Sequence, residues 1–376
     1  MPEPVVARPA ARPSRASRGT APRRPAAPAV PGGGAAPRAA TGRTVSDVLT
    51  AAADAGATVV LTGHVQPDAD ALGSTLALAE GLRRRGARVV TTFPDPFTLP
   101  ASLAWLPGAE GLVPSSSVPP SPDVFVSLDA ASPARLGELA SLLETAGTAV
   151  VVDHHASNPG FGDVALVDPA APATVSLVAG LLDDLGVAAD RPLATLLYAG
   201  LAADTGSFRF GNTRPDTHDL AARLLATGID HAEISRRLFD TAPFGWLGLL
   251  SAVTGRAVLE PDVGAGLVWT WSSTAEAAEF GLPGEQLEAL VDVVRSTEEA
   301  DVACVLKGQD DGSWSVSLRS RGATDVARVA MALGGGGHRA AAGYSSAADR
   351  DTTIRTLRAE LCTPSGSGLP PRPGAV

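Results

Sequence analysis

Short apolar runs rich in β-branched residues alternate with segments of helical periodicity along the first two-thirds of this chain. The apolar runs are 58–62, 87–93, 123–128 and 148–152, and the helical segments are 71–85, 133–146, 174–185 and 192–202. Parallel strands need a long crossover between them, which is usually a helix. The alternation therefore predicts an α/β fold built on a parallel sheet.

The pattern changes after about residue 238. Strand-like runs at 258–259 and 266–271 precede helical stretches, and 301–307 with 313–319 predict a hairpin around Asp310-Asp311-Gly312. A helix at 325–333 then leads into four glycines and His338. We predict a first α/β domain over 45–238, a linker over 239–252 and a smaller α/β domain over 253–362.

Charge is distributed unevenly. Residues 1–44 contain eight arginines and one acidic residue, so they carry +7, whereas the whole chain carries −10 and the rest therefore −17. Residues 1–44 and 363–376 are rich in Pro, Gly, Ala or Ser and have no apolar period, which predicts disordered tails. A body this acidic is poorly suited to long nucleic acids, and we expect it to bind phosphate locally.

Two further classes are excluded by composition. Cys304 and Cys362 are the only cysteines, too few for a disulfide framework or a thiolate zinc site. No run of about 18 uncharged apolar residues occurs, so we expect no membrane span and a cytoplasmic protein.

Acidic and histidine side chains recur where the predicted strands end. His64, Asp68 and Asp70 follow the first strand, Asp129 ends the third, and Asp153-His154-His155 ends the fourth. Asp204 closes the helical segment 192–202. Because ligands bind outside the carboxyl ends of the strands in open α/β sheets, we expect these side chains to converge at one edge.

Such a cluster of acidic and histidine side chains predicts bound cations. Carboxylates packed together repel one another, and divalent ions resolve the repulsion. Imidazole and carboxylate ligands without thiolate favour Mn²⁺, with Mg²⁺, Co²⁺ or Fe²⁺ as alternatives. Two ions about 3.5–4 Å apart form the clamp used for in-line phosphoryl displacement. A single Asp at a strand end is more often a cap or turn residue, so the prediction of two metals depends on the joint pattern.

The order and spacing of these motifs resemble the DHH phosphoesterase superfamily. Three C-terminal motifs resemble the DHH-associated domain, namely Ser317-Leu318-Arg319-Ser320-Arg321, Asp325-Val326-Ala327 and the segment 334–343. The combination is similar to the nanoRNase/pAp-phosphatase branch, which is a group of bifunctional oligoribonucleases, over roughly residues 45–362.

The resemblance implies a role for each matching residue. His64, Asp68 and Asp129 would hold one Mn²⁺, and Asp70, Asp129, His154 and Asp204 would hold the second, with Asp129 bridging. His155 would face the scissile phosphate, and Asp153 would orient the histidines. Substrate would be held from the second domain by Arg319, Ser320, Gly335, Gly336, Gly337 and His338. The glycine run also allows backbone N–H groups to approach phosphate.

The implied reaction hydrolyses short oligoribonucleotides to mononucleotides and adenosine 3′,5′-bisphosphate to AMP, in a cleft between the two domains. A cyclic di-AMP phosphodiesterase remains an alternative, because the same residues would serve both reactions. An inorganic pyrophosphatase or exopolyphosphatase is a second alternative, although pyrophosphate needs no base- or ribose-binding domain. A nucleotide-binding regulator without activity is a third. We expect short RNA or a small nucleotide as substrate, no partner in long nucleic acid or membrane, and a state compatible with a homodimer.

Overall fold

The structure, a computed structural model, describes residues 44–363, and the predicted tails lie outside this range apart from Thr44 and Thr363. Five parallel strands form the first sheet in the order β2-β1-β3-β4-β5. They are β1 (Thr58–Thr62), β2 (Arg88–Thr92), β3 (Val124–Leu128), β4 (Thr148–Asp153) and β5 (Val164–Val167). The predicted parallel α/β sheet is confirmed.

Helices cover both faces of this sheet. They are α1 (Val45–Asp54), α2 (Ala69–Arg84), α3 (Leu142–Thr145), α4 (Thr174–Asp184), α5 (Arg191–Asp204), α6 (Pro215–Leu225) and α7 (His231–Phe239). One face of the central strands packs against α1, α2, α4 and α5, and the other against α3 and a 3₁₀ segment, Pro133–Ser141. Strands buried on both faces explain the continuous apolar runs in the sequence.

Helices α2 and α5 lie unusually close together. A Cβ atom at Gly73 would lie 2.7 Å from the carbonyl oxygen of Leu196, and one at Gly200 would lie 3.0 Å from the Cα atom of Asp70. The start of α2 is therefore beside the end of α5. This antiparallel contact brings Asp204 next to Asp70.

A second sheet has six strands in the order β10-β11-β9-β8-β7-β6, antiparallel except for the pair β7–β8. The strands are β6 (Val258–Glu260), β7 (Leu267–Ser273), β8 (Val302–Gly308), β9 (Trp314–Ser320), β10 (Gly336–His338) and β11 (Ala341–Ser346). Its helices are α8 (Gly245–Gly255), α9 (Thr274–Glu279), α10 (Leu290–Val294), α11 (Val326–Ala332) and α12 (Arg350–Cys362). The predicted hairpin is present as β8 and β9.

One local prediction was wrong. Residues 133–146, predicted as one helix, form the 3₁₀ segment and the short α3, because Gly137 has a φ of 51° and a ψ of −134° that no helix accommodates. The glycine run enters the edge strand β10, where Gly336 pairs with Gly343 of β11, and its contact with phosphate stays a prediction. The domain boundaries stay predictions, and α8 begins within the predicted linker. None of the described helices is long and apolar enough to cross a membrane.

Candidate metal centre

The predicted ligands meet at the carboxyl ends of three neighbouring strands. His64 follows β1, Asp129 follows β3, and His154 follows β4, and these strands are paired side by side. The Nε2 atom of His64 lies 3.6 Å from Asp68 Oδ2 and 3.8 Å from Asp129 Oδ2. The structure thus brings the first predicted ligand set together, within a group of side chains that could hold a cation.

The second predicted set is built around His154. Its Nε2 atom lies 3.1 Å from Asp204 Oδ2, 3.5 Å from Asp129 Oδ1 and 3.9 Å from Asp70 Oδ2. Asp129 therefore directs one carboxylate oxygen towards each set, Oδ2 towards His64 and Oδ1 towards His154. This is the arrangement that a residue shared by two cations requires.

Both histidines are oriented by carbonyl oxygens. The Nδ1 atom of His64 lies 2.8 Å from the carbonyl oxygen of Val65, and that of His154 lies 3.3 Å from the carbonyl oxygen of Ala171. For His154, donation from Nδ1 leaves the lone pair on Nε2, the atom that faces the carboxylates, whereas Nδ1 of His64 also lies 2.9 Å from Nη2 of Arg135. Metal-binding histidines commonly have such a partner.

The electrostatics of the cluster fit a cation. Asp70 and Asp129 are buried, and burial together with the neighbouring carboxylates raises the pKa of Asp70 to about 8 and that of Asp129 well above its usual range. Burial alone would lower the pKa of His154, but Asp204 and Asp70 raise it to about 9. Within residues 44–363, His154 Nε2 makes no aligned hydrogen bond, although Asp204 Oδ2 lies 3.1 Å from it. The donor set has the types and the excess negative charge that divalent cations neutralise.

Asp129 adopts a backbone conformation that costs energy. Its φ of 56° is in the left-handed region, and its N–H donates to the carbonyl oxygen of Val152 over 3.0 Å. Such residues cost on the order of 1–3 kcal/mol and concentrate at functional sites. The turn directs the Asp129 carboxylate across the sheet edge between the two histidines.

Thr174 at the start of α4 fixes two of the carboxylates, and sequence reasoning missed it. Its N–H and that of Val175 donate to the two oxygens of Asp70 over 2.6 and 2.8 Å. Its hydroxyl donates to Asp129 Oδ1 over 3.0 Å. The start of a helix favours negative charge, so α4 stabilises Asp70 in its buried position. A threonine opening a predicted helix was the available signal.

Asp153 is buried and holds His155. The Nδ1 atom of His155 lies 2.7 Å from Asp153 Oδ1, and the N–H of His154 donates to the same oxygen over 2.8 Å. Asn158 donates to Asp153 Oδ2 over 2.6 Å and to the carbonyl oxygen of Ala130 over 3.1 Å. Asn158 was not predicted, because an asparagine in a loop gives no signal of this role. These bonds direct Nε2 of His155 away from Asp153.

Arg135 also was not predicted. Its Nη2 atom lies 2.9 Å from Nδ1 of His64. Burial lowers the pKa of this guanidinium, whereas Asp68 and Asp129 raise it. The 3₁₀ segment that replaces the predicted helix brings Arg135 to this position.

His338 brings the second sheet to the cluster. Its ring centroid lies 4.3 Å from that of His155 and 4.7 Å from that of His154. Burial and the charges of His155 and His154 lower the pKa of His338 to about 3, so its ring is neutral near pH 7. The three histidines form a further group whose nitrogens could hold a cation.

The other predicted substrate residues divide into two groups. Arg319 is half-buried and on the same sheet row as His338. Ser320 points to the opposite face, is 1 % exposed and donates to Asp301 Oδ2 over 3.2 Å. The prediction of Ser320 as a substrate contact is therefore corrected, because consecutive strand residues face opposite sides.

The glycines of the run have different surroundings. A Cβ atom would lie 2.1 Å from the carbonyl oxygen of Gly343 if placed on Gly335, and 2.6 Å from that of Ala341 if placed on Gly337. A Cβ atom on Gly336 would meet nothing within 4 Å. Gly335 and Gly337 are thus required for the close approach of β11, and Gly336 leaves open space.

Two family models and several known proteins match this chain. The model of the DHH family, N-terminal domain, matches residues 58–201, and that of the DHHA1 domain matches residues 272–361. The bifunctional oligoribonuclease and PAP phosphatase NrnA of Thermus thermophilus is 35 % identical over 302 residues, which are 80 % of this chain and 87 % of that protein. The probable bifunctional oligoribonuclease and PAP phosphatase NrnA of Streptococcus mutans is 26 % identical over 77 % of this chain and 89 % of that protein.

Among solved structures, an exopolyphosphatase-related protein from Bacteroides fragilis superposes with a TM-score of 0.74 at 23 % sequence identity. The match covers 84 % of this chain and 95 % of that one. A likeness at this identity shows a shared fold.

Proposed function

The chain belongs to the DHH family of phosphoesterases, and we propose that it hydrolyses short oligoribonucleotides to mononucleotides and adenosine 3′,5′-bisphosphate to AMP. The observation that carries the proposal is the position of Asp129. Its two oxygens face two histidine–carboxylate sets, and the adjacent His155 stacks against His338 of the second sheet. Two cations at such an edge suit phosphoester hydrolysis.

The proposed ligands follow the two sets. His64, Asp68 and Asp129 would hold one cation, and Asp70, Asp129, His154 and Asp204 would hold the other. Mn²⁺ is the proposed ion, with Mg²⁺ or Co²⁺ as substitutes. When bound, such ions polarise a phosphoryl oxygen and lower the pKa of water towards neutrality.

The chain's own residues position the substrate and a proton. Asp153 accepts from Nδ1 of His155, so this histidine keeps a defined orientation and presents Nε2 to the cleft. His338 lies against that ring and closes the site from the second sheet. Arg319, on the same face as His338, would hold a phosphate of the substrate.

Short substrates are favoured by charge and by shape. Residues 45–376 carry −17, so a long polyanion would be repelled beyond the site. The second sheet contacts the metal edge through His338 and so covers the cleft from above. A dinucleotide or a nucleoside bisphosphate needs little length outside such a site.

Cyclic di-AMP remains the alternative substrate, because opening its ring uses the same phosphodiester chemistry. Pyrophosphate and polyphosphate are less well suited, since they present no nucleoside to the second sheet. A regulator without activity would bind nucleotide and leave it intact.

A hydrolysis panel with the full chain and Mn²⁺ tests the proposal. It contains a 5′-phosphorylated RNA dinucleotide, an RNA 24-mer, adenosine 3′,5′-bisphosphate, cyclic di-AMP and pyrophosphate. We expect fast cleavage of the dinucleotide and bisphosphate, lost in Asp129→Asn and retained in Asp262→Asn, an exposed carboxylate elsewhere. Faster turnover of cyclic di-AMP or pyrophosphate than of these two would overturn the assignment.

A further inference from the structure

On one face of the second sheet, α8 and α10 cover the half formed by β7 and β8 and leave the other half largely uncovered, apart from contacts of α10 with β9. Val268, Ala303 and Val305 on β7 and β8 pack under α8 and α10. The other half of that face, on β9, β11 and β10, contains half-buried small or polar residues, which include Ser317, Gly343 and Ala341. This uncovered half contacts the metal centre through His338.

Arg319 and His338 lie on one row of this uncovered half. His338 pairs with Ala341, and Ala341 pairs with Arg319 on the next strand. Paired residues point to the same face, and two strand spacings amount to about 10 Å. On this row, which runs from His338 at the metal centre to Arg319, only the methyl group of Ala341 lies between the two side chains.

Arg295 lies near the Arg319 end of this row, three residues after Asp292, whose Oδ1 is 3.4 Å from Arg319 Nε. It ends α10 on the second sheet, and its guanidinium carbon lies 4.4 Å from the ring centroid of Phe210. Phe210 follows the predicted ligand Asp204 by six residues, so the contact joins the two sheets next to the metal centre. Its backbone N–H donates to the carbonyl oxygen of Val291 over 2.9 Å, but within the described residues its guanidinium makes no hydrogen bond or ion pair.

Further guanidiniums surround it. Burial lowers the pKa of Arg295, and the charges of Arg319, Arg209 and Arg321 lower it further against the opposing carboxylate of Asp292. Positive charge is therefore concentrated here, in a part of the chain whose overall charge is strongly negative. Such a concentration is costly unless an anion binds to it.

The hydrogen-bond partners of Arg209 and Arg321 are neutral carbonyl oxygens, so they do not compensate the positive charge. Arg209 Nε donates to the carbonyl oxygen of Gly206 over 2.6 Å, and Arg321 Nη1 donates to that of Thr297 over 2.8 Å. These bonds hold the guanidiniums in place without neutralising them. Arg319 Nε lies 3.4 Å from an oxygen of Asp292, whose side chain is half exposed.

We propose that Arg295, seated on Phe210, forms with Arg319 a subsite for the non-scissile 5′-phosphate of the substrate. The inference rests on the proposed function and names its specificity determinant. A guanidinium is always charged and binds phosphate through two parallel N–H groups. Stacking on Phe210 fixes its plane without using those N–H groups.

With this subsite, the two proposed substrates undergo the same reaction at the same position. In each, water oxygen bonds to phosphorus, the bond from phosphorus to the 3′ oxygen breaks, and that oxygen leaves with a proton. The leaving group is in both cases the 3′ oxygen of a nucleoside 5′-phosphate. A subsite that holds this 5′-phosphate places the 3′-phosphoryl group at the metal centre, and it requires digestion from the 5′ end.

Matched substrate pairs test the subsite. They are adenosine 3′,5′-bisphosphate against adenosine 3′-monophosphate, and 5′-phosphorylated ApA against ApA with a free 5′-hydroxyl. The readout is the ratio of kcat/KM within each pair. We expect wild type to favour the phosphorylated member by about 10- to 100-fold. Arg295→Met brings the ratio close to one, and Arg295→Lys gives an intermediate value.

Two further variants separate binding from folding. Phe210→Leu keeps the guanidinium but removes its platform, and we expect the ratio to fall several-fold. Arg355→Met removes an exposed arginine of α12 that bonds to Thr352, and the ratio stays at the wild-type value. Equal rates within each pair for wild type, or equal loss on both members in Arg295→Met, would overturn the subsite. Wild type that hydrolyses none of the four substrates would instead overturn the proposed function.

Discussion

The imidazole rings of His155 and His338 stack with their planes 22° apart, although one follows β4 of the first sheet and the other ends β10 of the second. The first sheet thus supplies the metal ligands, and the second completes the space in which a substrate would lie. Activity should therefore depend on a residue that is absent from the predicted ligand sets.

The first prediction concerns His338→Asn. Loss of the ring removes a contact to the substrate while both proposed ligand sets stay in place. We expect kcat/KM for the dinucleotide to fall by about 10- to 100-fold. The number of Mn²⁺ ions bound per chain should not change. His218→Asn, an exposed histidine on α6, is the control. Loss of a bound ion in His338→Asn would instead make His338 a ligand.

Asp129→Asn should stabilise the metal-free protein. Asparagine tolerates the positive φ of this position better than alanine does, and it can still accept from Thr174. The substitution removes a carboxyl group whose ionisation is disfavoured by burial and by the neighbouring Asp70 and Asp68. We expect the free energy of unfolding, measured with urea and a chelator, to rise by about 1 kcal/mol. A clear fall in the free energy of unfolding would show that the clustered carboxylates do not repel one another.

Thr174→Val tests the support given to the ligands. The change keeps the shape but removes the hydrogen bond to Asp129. Losing such an outer contact typically costs about 10- to 100-fold in metal affinity or activity, so the Kd for Mn²⁺ should rise by that amount. Thr174→Ser retains the hydroxyl and should bind as wild type does. An equal Kd for Mn²⁺ in the two variants would show that the Thr174 hydroxyl does not support the metal ligands.

Glu260, which lies outside the metal centre, should make the free energy of unfolding depend on pH. Its carboxylate accepts from Arg358 and from Trp269 Nε1, and these contacts hold its pKa below the usual value. A lowered folded pKa gives stability that is present above the unfolded pKa and lost as pH falls through the folded one. Glu260→Gln should therefore cost about 1 kcal/mol at pH 7, because the pair is screened by solvent.

This difference should shrink as the pH falls from the unfolded pKa of about 4.3 through the lower folded one, because glutamate then becomes protonated in both states. Urea unfolding at pH 7 and at pH 3 measures it, with the exposed Glu298→Gln as control. A difference that is the same at both pH values would show that the charge of Glu260 contributes nothing.

The first sheet could be predicted because its signal is local. The runs that became β1, β3 and β4 are apolar throughout, and strands covered by helices on both faces need that pattern. The short, half-exposed β5 and the alanine- and glycine-rich β11 give no such signal, and they were not predicted. For β11, pairing with β9 decides the structure.

The ligands were predictable because their spacing is local within each motif. Thr174, Asn158 and Arg135 were not, because packing of distant segments brings them to the site. Arg135, for instance, is brought to His64 by a contact between distant segments, in which the N–H of Val65 donates to the Arg135 carbonyl oxygen over 2.9 Å. Arg295 shows the same limit, since its contact with Phe210 joins two sheets.

A titration of the metal-free full chain with Mn²⁺, followed by calorimetry and by dinucleotide hydrolysis on the same samples, tests the central claim most directly. The account predicts two ions per chain, with hydrolysis appearing as the second site fills, and fewer than two ions in Asp129→Asn. A single ion per chain, or full hydrolysis in the presence of excess chelator, would contradict it.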